Sequence, residues 1–112
     1  EIRNRYGNIA HSEKGGSDWT PAQWLQAVVD EIGEYANLRK KFERGDVVEP
    51  EFTQEAMGEL ADVVIYLDIL AFQLGIDLGE AVMRKFNRTS RKVGSDIILE
   101  ADGWHRRQAK PD

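Results

Sequence analysis

All-α is the fold class this sequence predicts, and three observations predict it. Helix-start signals at Thr20 and Asp77, with glycines at Gly45, Gly75 and Gly94 as stops, mark out three long segments. Within the first of these, apolar residues recur at spacings of three and four. No stretch sustains the alternation of a half-buried strand, and there is no internal repeat or low-complexity tract.

Residues 1–19 carry scattered charges and the Gly15-Gly16-Ser17 breaker, and are expected to form an N-terminal arm or loop. The helical domain is expected over residues 20–94. It opens at Thr20-Pro21-Ala22-Gln23, which combines a capping hydroxyl, a proline at the first helical position and a glutamine three residues after the cap. Trp24, Val28, Glu31, Tyr35, Leu38 and Phe42 then fall on one face. Lys40, Lys41 and Arg44 suit the negative end of that helix before Gly45.

A second helix is expected from Phe52 or Thr53 to Leu74. Between Leu60 and Leu74 only Asp62, Asp68 and Gln73 are strongly polar. A helix this apolar around its circumference requires cover on several sides, which one small protomer can hardly supply. A homo-oligomer, a dimer or a dimer of dimers, is therefore expected. Asp77-Leu78-Gly79-Glu80 reads as another capping box and opens a third helix ending near Gly94, with Leu78, Val82 and Phe86 among its apolar positions. Residues 95–112 form a C-terminal extension in which Ile97-Ile98-Leu99 is open to packing as a short helix or a strand.

The 112 residues suit one domain, with 41% hydrophobic and 31% charged residues, a globular composition. No apolar run reaches the roughly 18 residues of a bilayer span, and no signal-peptide pattern is seen. Without cysteine, disulfides and thiolate metal sites are excluded, and a reducing cytoplasm is the expected location. A net charge of -5 argues against a nucleic-acid partner but not against a phosphate-bearing small ligand held through metal.

The chemistry is expected in two carboxylate pairs, Glu31-x-x-Glu34 and Glu59-x-x-Asp62. A spacing of three puts both members of a pair on one helical face. The ordinary meaning of such a spacing is a solvated acidic face. Here, however, Glu31 takes a place in the apolar seam between Val28 and Tyr35, and Asp62 interrupts Leu60-Ala61-Asp62-Val63-Val64-Ile65. Buried unpaired carboxylates are costly, and converging ones raise each other's pKa; a divalent cation relieves both problems. All-carboxylate ligation suits Mg²⁺, or Mn²⁺ in its place. A di-iron bundle would need Glu-x-x-His on two helices, and the only histidines, His11 and His105, lie outside the long helices.

Mg²⁺ commonly shares its coordination sphere with substrate phosphates. The third helix offers counter-charge, with Arg84, Lys85, Arg88, Arg91 and Lys92 and no acid among residues 84–92. Lys85, Arg88 and Lys92 share a face; each reads either as a phosphate contact or as a complement to the helix dipole. Lys41, two turns beyond Glu34 with Asn37 between them, is a further cation on the carboxylate side, and a surface role serves it equally well. Trp19 reads as a hydrophobic staple beside the Thr20 cap in preference to a base-stacking residue.

Taken together, these residues resemble the MazG-like all-α nucleoside triphosphate pyrophosphohydrolases, in particular the short phage and bacterial type. The resemblance spans roughly residues 20–93. It rests on WLQAVVDEIGEYANLRKK from Trp24, ELADVVIYLDILAFQL from Glu59, and Gly75-Ile76-Asp77-Leu78 leading to Ala81-Val82 and Lys85-Phe86-Asn87-x-x-Ser90. It implies an antiparallel helical bundle completed by oligomerisation, and Mg²⁺ held by Glu31, Glu34, Glu59 and Asp62; one carboxylate would serve as general base, and Glu34 is our candidate. Lys85 and Asn87 would help hold the triphosphate, alongside Asn37, Lys41 and Arg88. The implied reaction converts a (d)NTP and water to a (d)NMP and pyrophosphate, with a tilt toward a purine such as (d)GTP. Fuller-length members duplicate the domain, whereas this sequence has one copy. For a phage-encoded chain the location would be the host cytoplasm. Two other readings of the same sequence are a catalytically silent nucleotide- or metal-binding regulator, and a helical interaction module whose second helix is a dimer seam.

Overall fold

A computed structural model describes residues 19–100 and the backbone of residues 106–108. The expected N-terminal arm lies outside these residues except for Trp19, as does much of the C-terminal extension. Three helices dominate: α1 (Pro21–Arg44), α2 (Glu51–Gln73) and α3 (Leu78–Val93). Two short strands follow, β1 (Ile97–Leu99) and β2 (Arg106–Gln108), paired antiparallel with Ile98 opposite Arg107. The fold is all-α apart from this small hairpin. The Ile97-Ile98-Leu99 run, left open between helix and strand by its sequence, is a strand. No helix among the described residues is long and apolar enough to cross a membrane.

The chain divides into two compact units, the first ending at Leu74 and the second beginning at Gly75. The division falls inside the span 20–94 that its sequence suggests as one domain.

The first unit is a helical hairpin. At the start of α1 the Thr20 hydroxyl accepts from the Gln23 N–H at 3.2 Å and the Gln23 side chain accepts from the Thr20 N–H at 2.8 Å, a complete capping box. Trp19 lies 4.7 Å from Trp24, ring centre to ring centre, which is the staple between the residue before the cap and the fourth residue of the helix. α1 ends on Gly45, whose φ of 88° only glycine adopts cheaply, and the Asp46 N–H reaches back to the Lys41 carbonyl at 2.8 Å.

The start of α2 uses a device that sequence inspection missed. Its N-cap position, Pro50, has no capping side chain. Instead the Glu49 carboxylate accepts from the Thr53 N–H at 3.1 Å and from its hydroxyl at 2.6 Å, setting negative charge at the positive end of the helix. α2 therefore begins at Glu51, slightly earlier than its sequence suggests.

Contacts along the hairpin show the two helices running antiparallel. Near the loop Phe42 stacks on Phe52 at 4.1 Å; further away Trp24 meets Tyr66 at 5.7 Å; at the open end the Gln73 amide donates to the Trp19 carbonyl at 2.8 Å. Leu38, Phe52 and Ala56 form a core cluster, with Tyr35, Phe42 and Val47 packed around them, and Trp24, Val28, Ile69 and Ala71 are buried as well. The α1 face expected to be buried is the one that is: Trp24, Val28 and Leu38 are buried, and Glu31, Tyr35 and Phe42 half-buried.

Both helices also leave apolar side chains exposed. α1 shows Leu25, Val29 and Ile32 to solvent, and α2 shows Met57, Leu60, Val64 and Leu67, with Met57 63% exposed. On each helix these residues follow the three–four spacing of a single face.

In the second unit Asp77 caps α3 by accepting from the Glu80 N–H at 3.1 Å. The reciprocal half of the expected capping box is absent, because the Glu80 carboxylate pairs with Arg84 at 2.8 Å instead. α3 ends on Gly94 at φ 75°, and the Ser95 N–H closes on the Ser90 carbonyl at 2.8 Å. β1 packs on α3, and two hydrogen bonds fasten it there. The Leu99 N–H donates to Asn87 Oδ1 at 2.8 Å, and Asn87 Nδ2 donates to the Leu99 carbonyl at 3.1 Å.

Candidate metal centre

The hairpin register decides which acids meet. Trp24 faces Tyr66, and seven residues toward the loop on each helix lead to Glu31 and Glu59. Seven residues are close to two full turns, so both side chains keep the orientation of the aromatic pair and point into the same seam. Glu31 and Glu59 bring their carboxylates close together there. Glu34, one turn on from Glu31, joins them: one carboxylate oxygen from each of Glu31, Glu34 and Glu59 lies within 4.8 Å of the others. Glu34 is exposed and the other two are half-buried, so the group has a dry side and a wet side.

The electrostatics are one-sided. Glu31 is raised from the usual 4.5 to about 7, first by burial, then by the Glu59 carboxylate close beside it and by the negative charges of Glu34 and Asp62. Among the described residues no basic side chain offsets these effects. Burial and nearby negative charge both penalise the ionised form, which is why Glu31 holds its proton toward neutrality. Glu59 Oε2 is buried with no hydrogen-bond partner, an unusual and costly condition for a carboxylate oxygen.

Asp62 is half-buried and falls outside the group of three, although its charge still acts on Glu31. The structure thus brings together three of the four acids singled out by spacing and sets the fourth at the margin. Tyr66, one turn beyond Asp62, was not singled out. Its hydroxyl is raised above its ordinary value by burial and then by the charges of Asp62, Glu31 and Glu34, which places it in the same negative field. Its spacing of four from Asp62 was the available signal.

The donor set fits a hard divalent cation. Three carboxylates of different exposure offer oxygen ligands, a buried oxygen lacks a partner, and the open side at Glu34 leaves room for water or a ligand oxygen.

The residues considered for phosphate are distributed over both units. Asn37 and Lys41 are exposed on α1, following Glu34 at three and seven residues, so they continue its face toward the loop. Lys85 and Arg88 are exposed on α3. Asn87 is half-buried with its amide engaged by the Leu99 peptide, which leaves one N–H and one lone pair for other partners. Asn87 also lines a shallow groove on α3 with Met83, Arg84, Arg88 and Arg91.

No family model matches this chain, and no curated protein matches it either.

Proposed function

We propose that this chain is a Mg²⁺-dependent nucleoside triphosphate pyrophosphohydrolase of the MazG-like all-α type, converting a (d)NTP and water to a (d)NMP and pyrophosphate. The observation that carries the reading is the convergence of Glu31, Glu34 and Glu59 across the α1–α2 seam, with a buried Glu59 oxygen that has no hydrogen-bond partner among the described residues. Three uncompensated acids in a helical seam are a stability cost, and a cation site gives that cost a purpose.

Glu31, Glu34 and Glu59 hold the ion, and Asp62 at the margin deepens the negative potential that attracts it. When bound, Mg²⁺ or Mn²⁺ would polarise phosphoryl oxygens and neutralise charge on the pyrophosphate leaving group. Glu34, the exposed member, would take a proton from the attacking water. Asn37 and Lys41 on α1, and Lys85, Asn87 and Arg88 on α3, are the side chains assigned to phosphate. The resemblance tilts the base preference toward a purine such as (d)GTP. A second copy of the chain is proposed to cover the apolar faces at Leu25, Val29 and Ile32 and at Met57, Leu60, Val64 and Leu67, giving a homo-oligomer that remains in the cytoplasm.

The test is a panel of the common NTPs and dNTPs with and without Mg²⁺, assayed for pyrophosphate. Metal-dependent pyrophosphate release that is lost in Glu59→Gln supports the reading. Mg²⁺ binding without release from any nucleotide would leave a silent nucleotide- or metal-binding regulator. Neither binding nor release would leave an interaction module.

A further inference from the structure

The Asn87 amide does two things at once. It lines the groove of Met83, Arg84, Arg88 and Arg91, and it makes a reciprocal pair of hydrogen bonds to the peptide of Leu99. The reciprocity fixes which end of the amide is oxygen, since the Leu99 N–H needs an acceptor and its carbonyl needs a donor. Asn87 thereby acts as a one-residue strand against the edge of β1. Its side chain cannot turn without breaking both bonds.

The groove has the chemistry of an anion site. Arg84, Arg88 and Arg91 follow one another at spacings of four and three, so their guanidiniums share a face over about 10 Å of helix. Arg84 is paired with Glu80, whereas Arg88 and Arg91 have no ion pair among the described residues. A helix C-terminus is complemented by any cation, but the planar forks of Arg88 and Arg91 in one groove, with Arg84 held by Glu80 beside them, suit the bidentate recognition of phosphoryl oxygens.

We propose that β1 is a latch on this groove: the Leu99 peptide holds the Asn87 amide so that its remaining N–H joins the arginines on a condensed phosphate. This rests on the reading of α3 as a phosphate-binding element. The latch can nevertheless be tested without metal or turnover. Leu99 itself is not among the groove residues, so a variant altered at both Asn87 and Leu99 distinguishes an effect of Leu99 that passes through Asn87 from one that does not.

The probe is tripolyphosphate in EDTA, titrated into the full chain, with orthophosphate as the short-chain control. Loss of one hydrogen bond to a charged ligand weakens binding about tenfold, which is the expectation for Asn87→Ala. Leu99→Pro, which removes the N–H that holds Oδ1, is expected to lose nearly as much, and the double variant no more than either alone. Circular dichroism confirms that each variant retains its helices. The coupling is reciprocal, so tripolyphosphate must in turn slow hydrogen exchange at the Leu99 amide of the unaltered protein. That measurement needs no variant. Full affinity in a folded Leu99→Pro, additive losses in the double variant, or unchanged Leu99 exchange at saturating tripolyphosphate would each overturn the latch. If the latch holds while no nucleotide yields pyrophosphate, the proposed reaction alone is wrong.

Discussion

Glu31→Gln should make the metal-free protein more stable at neutral pH, and the size of the effect follows from the site. Glu31 titrates near 7 in the folded chain against 4.5 for an ordinary carboxyl. The folded state therefore holds an extra proton between these values, and stability falls as pH rises through that window, then levels off above it. A shift of that size corresponds to at most about 3 kcal/mol. Glu31 is only half-buried, so water screens part of it. A like-charge pair at 4.8 Å costs between about 0.9 and 3.5 kcal/mol as the effective dielectric falls from that of water to that of a protein surface. Both routes support about 1–2 kcal/mol, or roughly 5–10 °C in Tm for a domain of this size.

The assay is thermal unfolding in EDTA at pH 4.5 to 8 for the unaltered protein and for Glu31→Gln. The unaltered protein should lose stability across the window relative to the variant, and the two should converge at its acidic end. Saturating Mg²⁺ should restore the unaltered protein by about 2–3 kcal/mol at a hundredfold excess over Kd, and should do much less for the variant. Parallel pH profiles for the two proteins would refute the account, because the repulsion at Glu31 would then not be felt by the fold.

Other substitutions probe the scaffold. Glu49→Ala removes the only side-chain cap on the first turn of α2 and should cost about 1 kcal/mol in a urea titration; no change would mean that the turn is held by packing alone. Phe52→Ala empties the space between Phe42, Tyr35 and Leu38 and should cost about 3–5 kcal/mol, whereas a cost below 1 kcal/mol would place the core elsewhere. Leu60→Glu puts a charge on the exposed apolar face of α2, and sedimentation should show a smaller species than for the unaltered chain. An unchanged mass would remove that face from any interface between copies.

Much of the fold was legible because helix signals are local. The Thr20–Gln23 box, the glycines at 45, 75 and 94 and the three–four periodicity of α1 act within one or two turns, and each has a direct counterpart in the structure. The Trp19–Trp24 staple was legible for the same reason. Glu80 shows where local rules stop, since its spacing suits a capping box and equally suits a pair with Arg84, and the ion pair prevailed. Glu49 was missed because it caps from outside the usual position.

By itself the sequence determined three helices, most of their limits, the seam of α1, and the two pairs of acids on α1 and α2. Only tertiary structure could decide how those acids divide. Whether Glu59 or Asp62 stands opposite Glu31 depends on the register of two antiparallel helices, which is set by aromatic contacts such as Trp24–Tyr66 far away in sequence. The division of labour at Asn87 was likewise invisible, because a spacing motif records which residues share a helix face and nothing of the strand that returns to bind there.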